Sequence, residues 1–260
     1  MRVTKNFVRY RDTHTIHCGL LNDDIIAELS SELFDPQHTF SGRQLKLADV
    51  QLLAPCQPSK VIAVGLNYRS HIGNMQTPEY PGLFAKYPTC IIGNNAAIIM
   101  PDDAESLHYE GELVVVIGKE AKNITPAQAK DFIFGVTAGN DVSERHWQRN
   151  DMQWFRAKGS DTFGPIGPVI TQGLNYNQLN LTTRLNGEIK QHANTSELIF
   201  DVDYLVSYIS RYVTLVPGDV IFTGTPGRTS RMAIDDVVEV ELEGVGTLRN
   251  SIERVALHVY

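Results

Sequence analysis

The sequence predicts a mostly β protein with a few helices, an α+β fold rather than an alternating strand–helix one. Three observations predict it. Short apolar runs rich in β-branched residues recur at Val61-Ile62-Ala63-Val64, Leu113 to Ile117 and Val220-Ile221-Phe222, and such runs read as buried strands. Val238, Val240 and Leu242 alternate with Glu239, Glu241 and Glu243, the period of a strand with one wet face. Neither a βαβ series nor a Gly-x-Gly-x-x-Gly turn is present, which argues against a dinucleotide-binding fold.

The elements follow in chain order. Val3 to Tyr10 and Thr15 to Leu21 predict a small antiparallel β element, and Asp23 to Glu32 a short helix. Pro55-Cys56-Gln57-Pro58 marks the boundary, because proline stops regular structure. It divides the chain into a small N-terminal β domain, 1–55, and a main domain, 56–260. Thr125 before Pro126 predicts an N-cap and first turn of a short helix to Phe132, followed by strand to Asn140. Asn186-Gly187 signals a tight hairpin. Val202, Leu205, Val206, Ile209 and Val213 keep helical spacing, so 201–213 predicts an amphipathic helix. Pro217-Gly218-Asp219 turns the chain into the strand at Val220. A turn from Gly244 to Gly246 leads into a last strand, Leu248 to Val255.

Of the 260 residues, 42% are hydrophobic and 20% charged, an ordinary globular composition. A formal charge of −7 without a Lys/Arg cluster argues against nucleic-acid binding. No apolar stretch is long enough to span a bilayer, and the first residues lack an apolar h-region. Cys18, Cys56 and Cys90 are far apart and lack Cys-x-x-Cys spacing, which predicts reduced thiols. The expectation is a soluble, cytoplasmic protein with neither membrane nor nucleic-acid partner.

The chemistry centres on Tyr109-Glu110-Gly111-Glu112 and on Asp141, which follows Gly139-Asn140. Residues two apart on an extended chain point the same way, so Glu110 and Glu112 lie side by side. Carboxylates converging at strand ends raise one another's pKa unless a cation sits between them. All-oxygen donors suit Mg²⁺ or Mn²⁺ rather than zinc. The same spacing also suits two solvated glutamates beside an unrelated turn aspartate.

Four other stretches stand out. Gly65-Leu66-Asn67-Tyr68-Arg69-Ser70-His71 follows a buried strand, and His71 suits a general base or a hydrogen-bonded core histidine. Arg145 and Gln148 follow Asp141 by four and seven positions and share a face with it if a helical turn starts there. Arg145 then suits a substrate carboxylate, and Gln148 water or an oxyanion. Lys158, in Trp154-Phe155-Arg156-Ala157-Lys158, suits stabilisation of an enolate or a solvated loop. Thr223-Gly224-Thr225-Pro226-Gly227 offers backbone N–H groups and threonine hydroxyls to an anion, or is a plain strand-end turn.

In order, the chain contains Gly-Leu-Asn-Tyr-x-x-His, Phe84-x-Lys86, Tyr-Glu-Gly-Glu-Leu-x-Val-Val-Ile-Gly-Lys, Asn-Asp-Val-x-x-Arg and Gln-Trp-x-Arg-Ala-Lys-Gly-x-Asp-Thr-Phe. Leu-Asn-Gly-Glu-x-x-Gln, Pro-Gly-Asp-Val-Ile-x-Thr-Gly-Thr-Pro and Gly-x-Leu-x-Asn follow. From about Pro58 to Ile252 it resembles the fumarylacetoacetate hydrolase superfamily, which includes acylpyruvate hydrolases, oxaloacetate decarboxylases and tautomerases, and hydroxyheptadienedioate isomerases. The resemblance implies a mixed β-roll catalytic domain, a homodimer, and Mg²⁺ or Mn²⁺ on Glu110, Glu112 and Asp141. It implies that Arg145, Gln148, Lys158 and Thr225 face a 2-oxo acid substrate, together with Tyr68 and Gly224 in the two loops. His71 matches the histidine of a lid.

Two departures shape the expected activity. Many members carry Glu three residues after that histidine, forming a water-activating pair; here Asn74 stands there, and the next acid is Glu79. Thr-Gly-Thr-Pro is commonly followed by Gly-Val-Gly; here Gly227-Arg228-Thr229-Ser230-Arg231 follows, which suggests that Arg228 or Arg231 binds a second carboxylate. The expectation is a divalent-metal enzyme acting on 2-oxo carboxylates or β-dicarbonyl acids through an enolate, leaning to isomerase or tautomerase chemistry. The rivals are an acylpyruvate-type hydrolase or oxaloacetate decarboxylase, in which Glu79 partners His71, and a ligand-binding homologue without catalysis.

Overall fold

The computed structural model describes residues 4–13 and 15–254. It is mostly β, 42% strand and 16% helix. Its main strands are β1 (Lys5–Arg11), β2 (Ile16–Asn22), β3 (Ile25–Leu29), β4 (Phe40–Lys46), β5 (Val61–Gly65), β6 (Gly82–Lys86) and β7 (Gly111–Ile117). They continue with β8 (Ile133–Asn140), β9 (Gly164–Gln172), β10 (Asn180–Leu185), β11 (Glu188–Asn194), β12 (Val220–Phe222), β13 (Val237–Leu242) and β14 (Gly246–Glu253). The α-helices are α1 (Arg69–Ile72), α2 (Arg145–Asn150), α3 (Phe155–Gly159) and α4 (Val202–Tyr212).

One large sheet runs β4-β3-β2-β1-β9-β8-β7-β12-β5-β6, and a second runs β11-β10-β13-β14 and ends on Ile98–Ile99. Pairing is antiparallel except where β12 meets β5 and where short strands join β9 and β14. All of β7 is buried, and its alternation serves two cores. Leu113, Val115 and Ile117 pack with Leu205 and Ile209 of α4 and with Leu181 and Val240 of the second sheet. Val114 and Val116 point the other way, against Phe7, Ile166, Ile170 and Phe222. A strand covered on both faces needs a continuous apolar run, which is what the sequence carries.

Most expected elements form. Asp201 caps α4 by accepting from the Tyr204 N–H at 2.8 Å. Asn186 and Gly187, at φ of 53° and 80°, make the turn that lets Leu185 pair with Glu188. The helix after Thr125 is a 3₁₀ segment, Pro126–Asp131, and Gln128 Oε1 accepts from both the N–H and the hydroxyl of Thr125 at 2.9 Å. Val3 and Val255, at the ends of two expected strands, lie outside the described residues.

The helix expected over 23–32 is a strand instead. Asp23, at φ 52°, and Asp24 form a turn, and Ile25–Leu29 folds back on β2 with Ile25 opposite Asn22. Ile26 is fully buried in the space left by Gly19, where a Cβ would stand 2.3 Å from its Cγ2. Pairing and burial of β-branched residues override a weak local helical pattern. Strands β1 to β4 continue the large sheet, with Phe7 of β1 opposite Ile170 of β9.

Candidate metal centre and active site

The register of β7 against β8 builds the site. Gly111 pairs with Asn140, so the residues just outside the ladder, Glu110 and Asp141, fall together. The Asp141 N–H donates to the Glu110 carbonyl at 2.8 Å, and the Glu110 N–H to Asn140 Oδ1 at 2.8 Å. On the other side, Phe222 at the end of β12 pairs with Val114, and the chain beyond it brings the Gly224 N–H 2.7 Å from Glu112 Oε2. Glu110, Glu112 and Asp141 each offer an oxygen within 4.8 Å of the others, and all three are buried.

Three cations stand behind them. Lys158, buried on α3, donates from Nζ to Glu110 Oε2 and Asp141 Oδ2, both at 2.6 Å. Lys86, at the end of β6, donates to Asp141 Oδ1 at 2.6 Å and to the Lys158 carbonyl. Arg145 donates from Nη2 to Glu110 Oε1 and from Nη1 to Gln148 Oε1 at 2.7 Å.

The charges are unequally matched. Burial opposes ionisation of Glu110, but the adjacent Lys158 and Arg145 outweigh it and hold its carboxyl well below the usual range. Glu112 goes the other way: burial, then the charges of Asp141 and Glu110, push it well above that range. Burial also disfavours charge on Lys158, yet Asp141 and Glu110 raise its pKa. Glu112 has the Gly224 amide as its donor and no cation paired with it among the described residues. A buried acid short of positive charge, beside two others and with oxygen donors only, fits a hard divalent cation such as Mg²⁺ or Mn²⁺. Asn140 Nδ2, buried without a partner, is a further polar atom at this end of the strands.

A small cavity of about 40 Å³ opens on the carboxylates, and His71, Glu110, Glu112, Arg145, Gln148, Lys158 and Thr225 line it. Tyr68 does not: its side chain is fully buried and its hydroxyl has no partner. Gly224 stands behind Glu112 as an amide donor. The helix expected to start after Asp141 begins instead at Arg145, capped by Glu144, whose carboxylate accepts from the Trp147 N–H at 2.6 Å. Asp141 therefore shares no helix face with Arg145 and Gln148; the strand register brings them together.

The threonine hydroxyls differ from expectation too. Thr223 Oγ1 donates to the Leu113 carbonyl at 2.8 Å and Thr225 Oγ1 to that of Gly111 at 2.9 Å, so both protons are committed to β7. Arg228 and Arg231 are exposed and stand outside the cavity lining. Thr229, between them, accepts from Arg145 Nη2 at 3.0 Å and meets His108 Nδ1 at 2.9 Å. Sequence reasoning missed Lys86, Thr229 and Gln191. Lys86 and Gln191 sit in quoted motifs, but nothing in their spacing told that they were buried.

A carboxylate trio at the mouth of a mixed β-roll, with a buried lysine between two of the acids, defines a class of small-molecule enzymes. The chain belongs to the fumarylacetoacetate hydrolase family: the model of its C-terminal domain matches residues 60–253, and an N-terminal domain model named Rv2993c-like matches residues 6–55. Protein Rv2993c of Mycobacterium tuberculosis is 48% identical over 221 residues, 83% of each chain. The mitochondrial oxaloacetate tautomerase Fahd2a of Rattus norvegicus is 37% identical over 219 residues, 79% of this chain and 70% of that one. The crystal structure of a 5-carboxymethyl-2-hydroxymuconate delta-isomerase from Mycobacterium smegmatis superposes with a TM-score of 0.91 at 42% identity, covering 96% of this chain and all of the other. Family members are enzymes, and isomerases, hydrolases and tautomerases are among them.

Proposed function

We propose that this protein is a Mg²⁺- or Mn²⁺-dependent isomerase or tautomerase of 2-oxo carboxylates or β-dicarbonyl acids. One observation carries the choice among the family's chemistries. His71 Nδ1 lies 2.6 Å from the Gly227 carbonyl oxygen, while Asn74 and Glu79 are both exposed. No carboxylate pairs with His71 among the described residues, which supports a chemistry that needs no activated water over one in which Glu79 partners His71.

A divalent ion on Glu110, Glu112 and Asp141 would supply the Lewis acidity that stabilises an enolate. The residues of the chain do the rest. A carbonyl oxygen only accepts, so His71 Nδ1 carries the proton and Nε2 is left basic. Nε2 removes a proton from carbon or oxygen of the bound acid and returns it at the other position. Arg145, braced by Gln148, pairs with a substrate carboxylate. Lys158 keeps a fixed positive charge beside the developing oxyanion. The phenyl ring of Phe84, 5.1 Å from Lys158 Nζ, keeps water from it.

The likenesses to an oxaloacetate tautomerase and a delta-isomerase support the same reading. Incubating metal-loaded protein with oxaloacetate and with acetylpyruvate tests it. Faster enol–keto equilibration without pyruvate is the expected outcome; pyruvate released at a comparable rate would make the protein a decarboxylase or hydrolase. The proposal includes a cytoplasmic homodimer with residues 1–55 as a small β domain joined to the large sheet; light scattering on the purified protein tests the dimer and cell fractionation the location.

A further inference from the structure

Gln191 sits on β11, in the second sheet, at 3% exposure. Its side-chain amide is fully engaged. The Gly111 N–H donates to Oε1 at 3.1 Å, and Nε2 donates to Thr225 Oγ1 at 2.8 Å and to the Pro226 carbonyl at 2.7 Å. Thr225 Oγ1 in turn donates to the Gly111 carbonyl at 2.9 Å. Gln191, Gly111 and Thr225 thus close a ring of hydrogen bonds.

The ring lies where the backbone ladder ends. β12 pairs with β7 from Val114 to Val116, the Thr223 N–H adds a last bond to the Leu113 carbonyl at 3.1 Å, and beyond Thr223 the chain forms the loop that lines the cavity. Gly111, between the two glutamates, is tied to that loop by side chains instead. Pro226 precedes Gly227, whose carbonyl holds His71. One amide therefore touches both the start of the carboxylate strand and the loop that orients the general base.

We infer that Gln191 is a positioning residue: it sets the spacing between the Glu110–Glu112 start of β7 and the Thr225–Gly227 loop. The inference deepens the proposed function and rests on it for what the spacing serves. The two sides of the ring are unequally supported. β7 is also held along its length by β8, β12 and Asn140. Among the described residues, the loop beyond the Thr223–Leu113 bonds has, besides the ring, only the Gly224–Glu112, Gly227–Ser70 and Gly227–His71 contacts as far as Gly227. Loss of Gln191 loosens the loop and leaves the metal-holding strand in place.

The test is Gln191→Met in the full-length protein, of similar volume but without donors or acceptor, followed by hydrogen–deuterium exchange on metal-free protein. Exchange in 223–231 rises about tenfold while 111–117 keeps its protection, as expected when a local contact rather than the fold is lost. With metal, EPR-monitored Mn²⁺ affinity changes by less than about threefold and KM for oxaloacetate rises about tenfold or more, the range of effects seen when supporting hydrogen bonds are removed. Unchanged exchange in 223–231 overturns the inference. Equal loss of protection in both segments also overturns it, since that describes a structural residue. If the native protein neither binds Mn²⁺ nor turns over oxaloacetate, yet the exchange difference holds, the positioning role stands and the proposed function falls. Should Gln191→Met fail to fold, Gln191→Asn, polar but one methylene shorter, is read by the same exchange experiment.

Discussion

His71 Nδ1 is 2.6 Å from the carbonyl oxygen of Gly227, so a backbone acceptor, not a carboxylate, fixes the tautomer of the imidazole. A neutral acceptor orients the ring without stabilising an imidazolium as a carboxylate does. His71→Ala should lower kcat about 10²- to 10⁴-fold, the usual range for a lost general base, with little change in Mn²⁺ binding. Asn74→Glu should raise pyruvate release from acetylpyruvate, measured by coupled lactate dehydrogenase. No increase would remove the argument built on Asn74.

Lys158, almost fully buried, bridges Glu110 and Asp141. Replacing it by Met leaves two buried carboxylates short of positive charge, a change that typically costs about 3–5 kcal/mol. Calorimetry should show a large fall in Tm for the metal-free variant. Part of that fall should be recovered with saturating Mn²⁺, because the ion balances the same charges. Activity should drop in the loaded variant as well.

Metal binding should be visible in stability. A ligand at 100 times its Kd stabilises the native state by about 2.7 kcal/mol, so Mg²⁺ or Mn²⁺ should raise the Tm of the EDTA-treated protein and restore its activity. Glu112→Gln should abolish the Tm rise without unfolding the apo protein, since it replaces the one acid of the trio that lacks a cationic partner by a neutral isostere. A Glu112→Gln protein that still gains the full Tm shift would place the ion elsewhere.

Gly111 has no room for a side chain: a Cβ there would lie 2.0 Å from Thr183 Oγ1. Gly111→Ala should therefore cost about 1–3 kcal/mol, the range for overpacking a tight interior, in urea unfolding. The paired variant Gly111→Ala with Thr183→Ala should recover stability, because it removes the clashing hydroxyl, which has no hydrogen-bond partner. Additive losses would mean the clash lies elsewhere.

Burial pushes the Cys56 thiol up to about 12 and the Cys90 thiol up to about 11. The thiolate is the reactive form, and it is scarce for both at pH 8. Iodoacetamide on the native protein should leave Cys56 and Cys90 unmodified, while all three cysteines should react in denaturant. Mass mapping of labelled native Cys56 would contradict its placement.

Much of this was legible in the chain because it depends on local chemistry. The run from Leu113 to Ile117 announced a strand buried on both faces, Asn186-Gly187 announced its turn, and the order of motifs identified the family and the carboxylate trio. The stretch from Asp23 to Glu32 misled, since its helical spacing competes with a tight Asp23–Asp24 turn and with pairing on both sides, to β2 and to β4, that only the folded sheet reveals.

The sequence by itself determined which residues have the chemistry to hold a hard cation, because carboxylate oxygens bring that property wherever they stand. Only the tertiary structure decided which charges meet. The register of Gly111 on Asn140 sets Glu110 beside Asp141, the packing of α3 and β6 drives Lys158 and Lys86 into them, and a turn distant in sequence supplies the carbonyl that holds His71. Those contacts span tens of residues, and their strength comes from the exclusion of water, which no stretch of chain encodes alone.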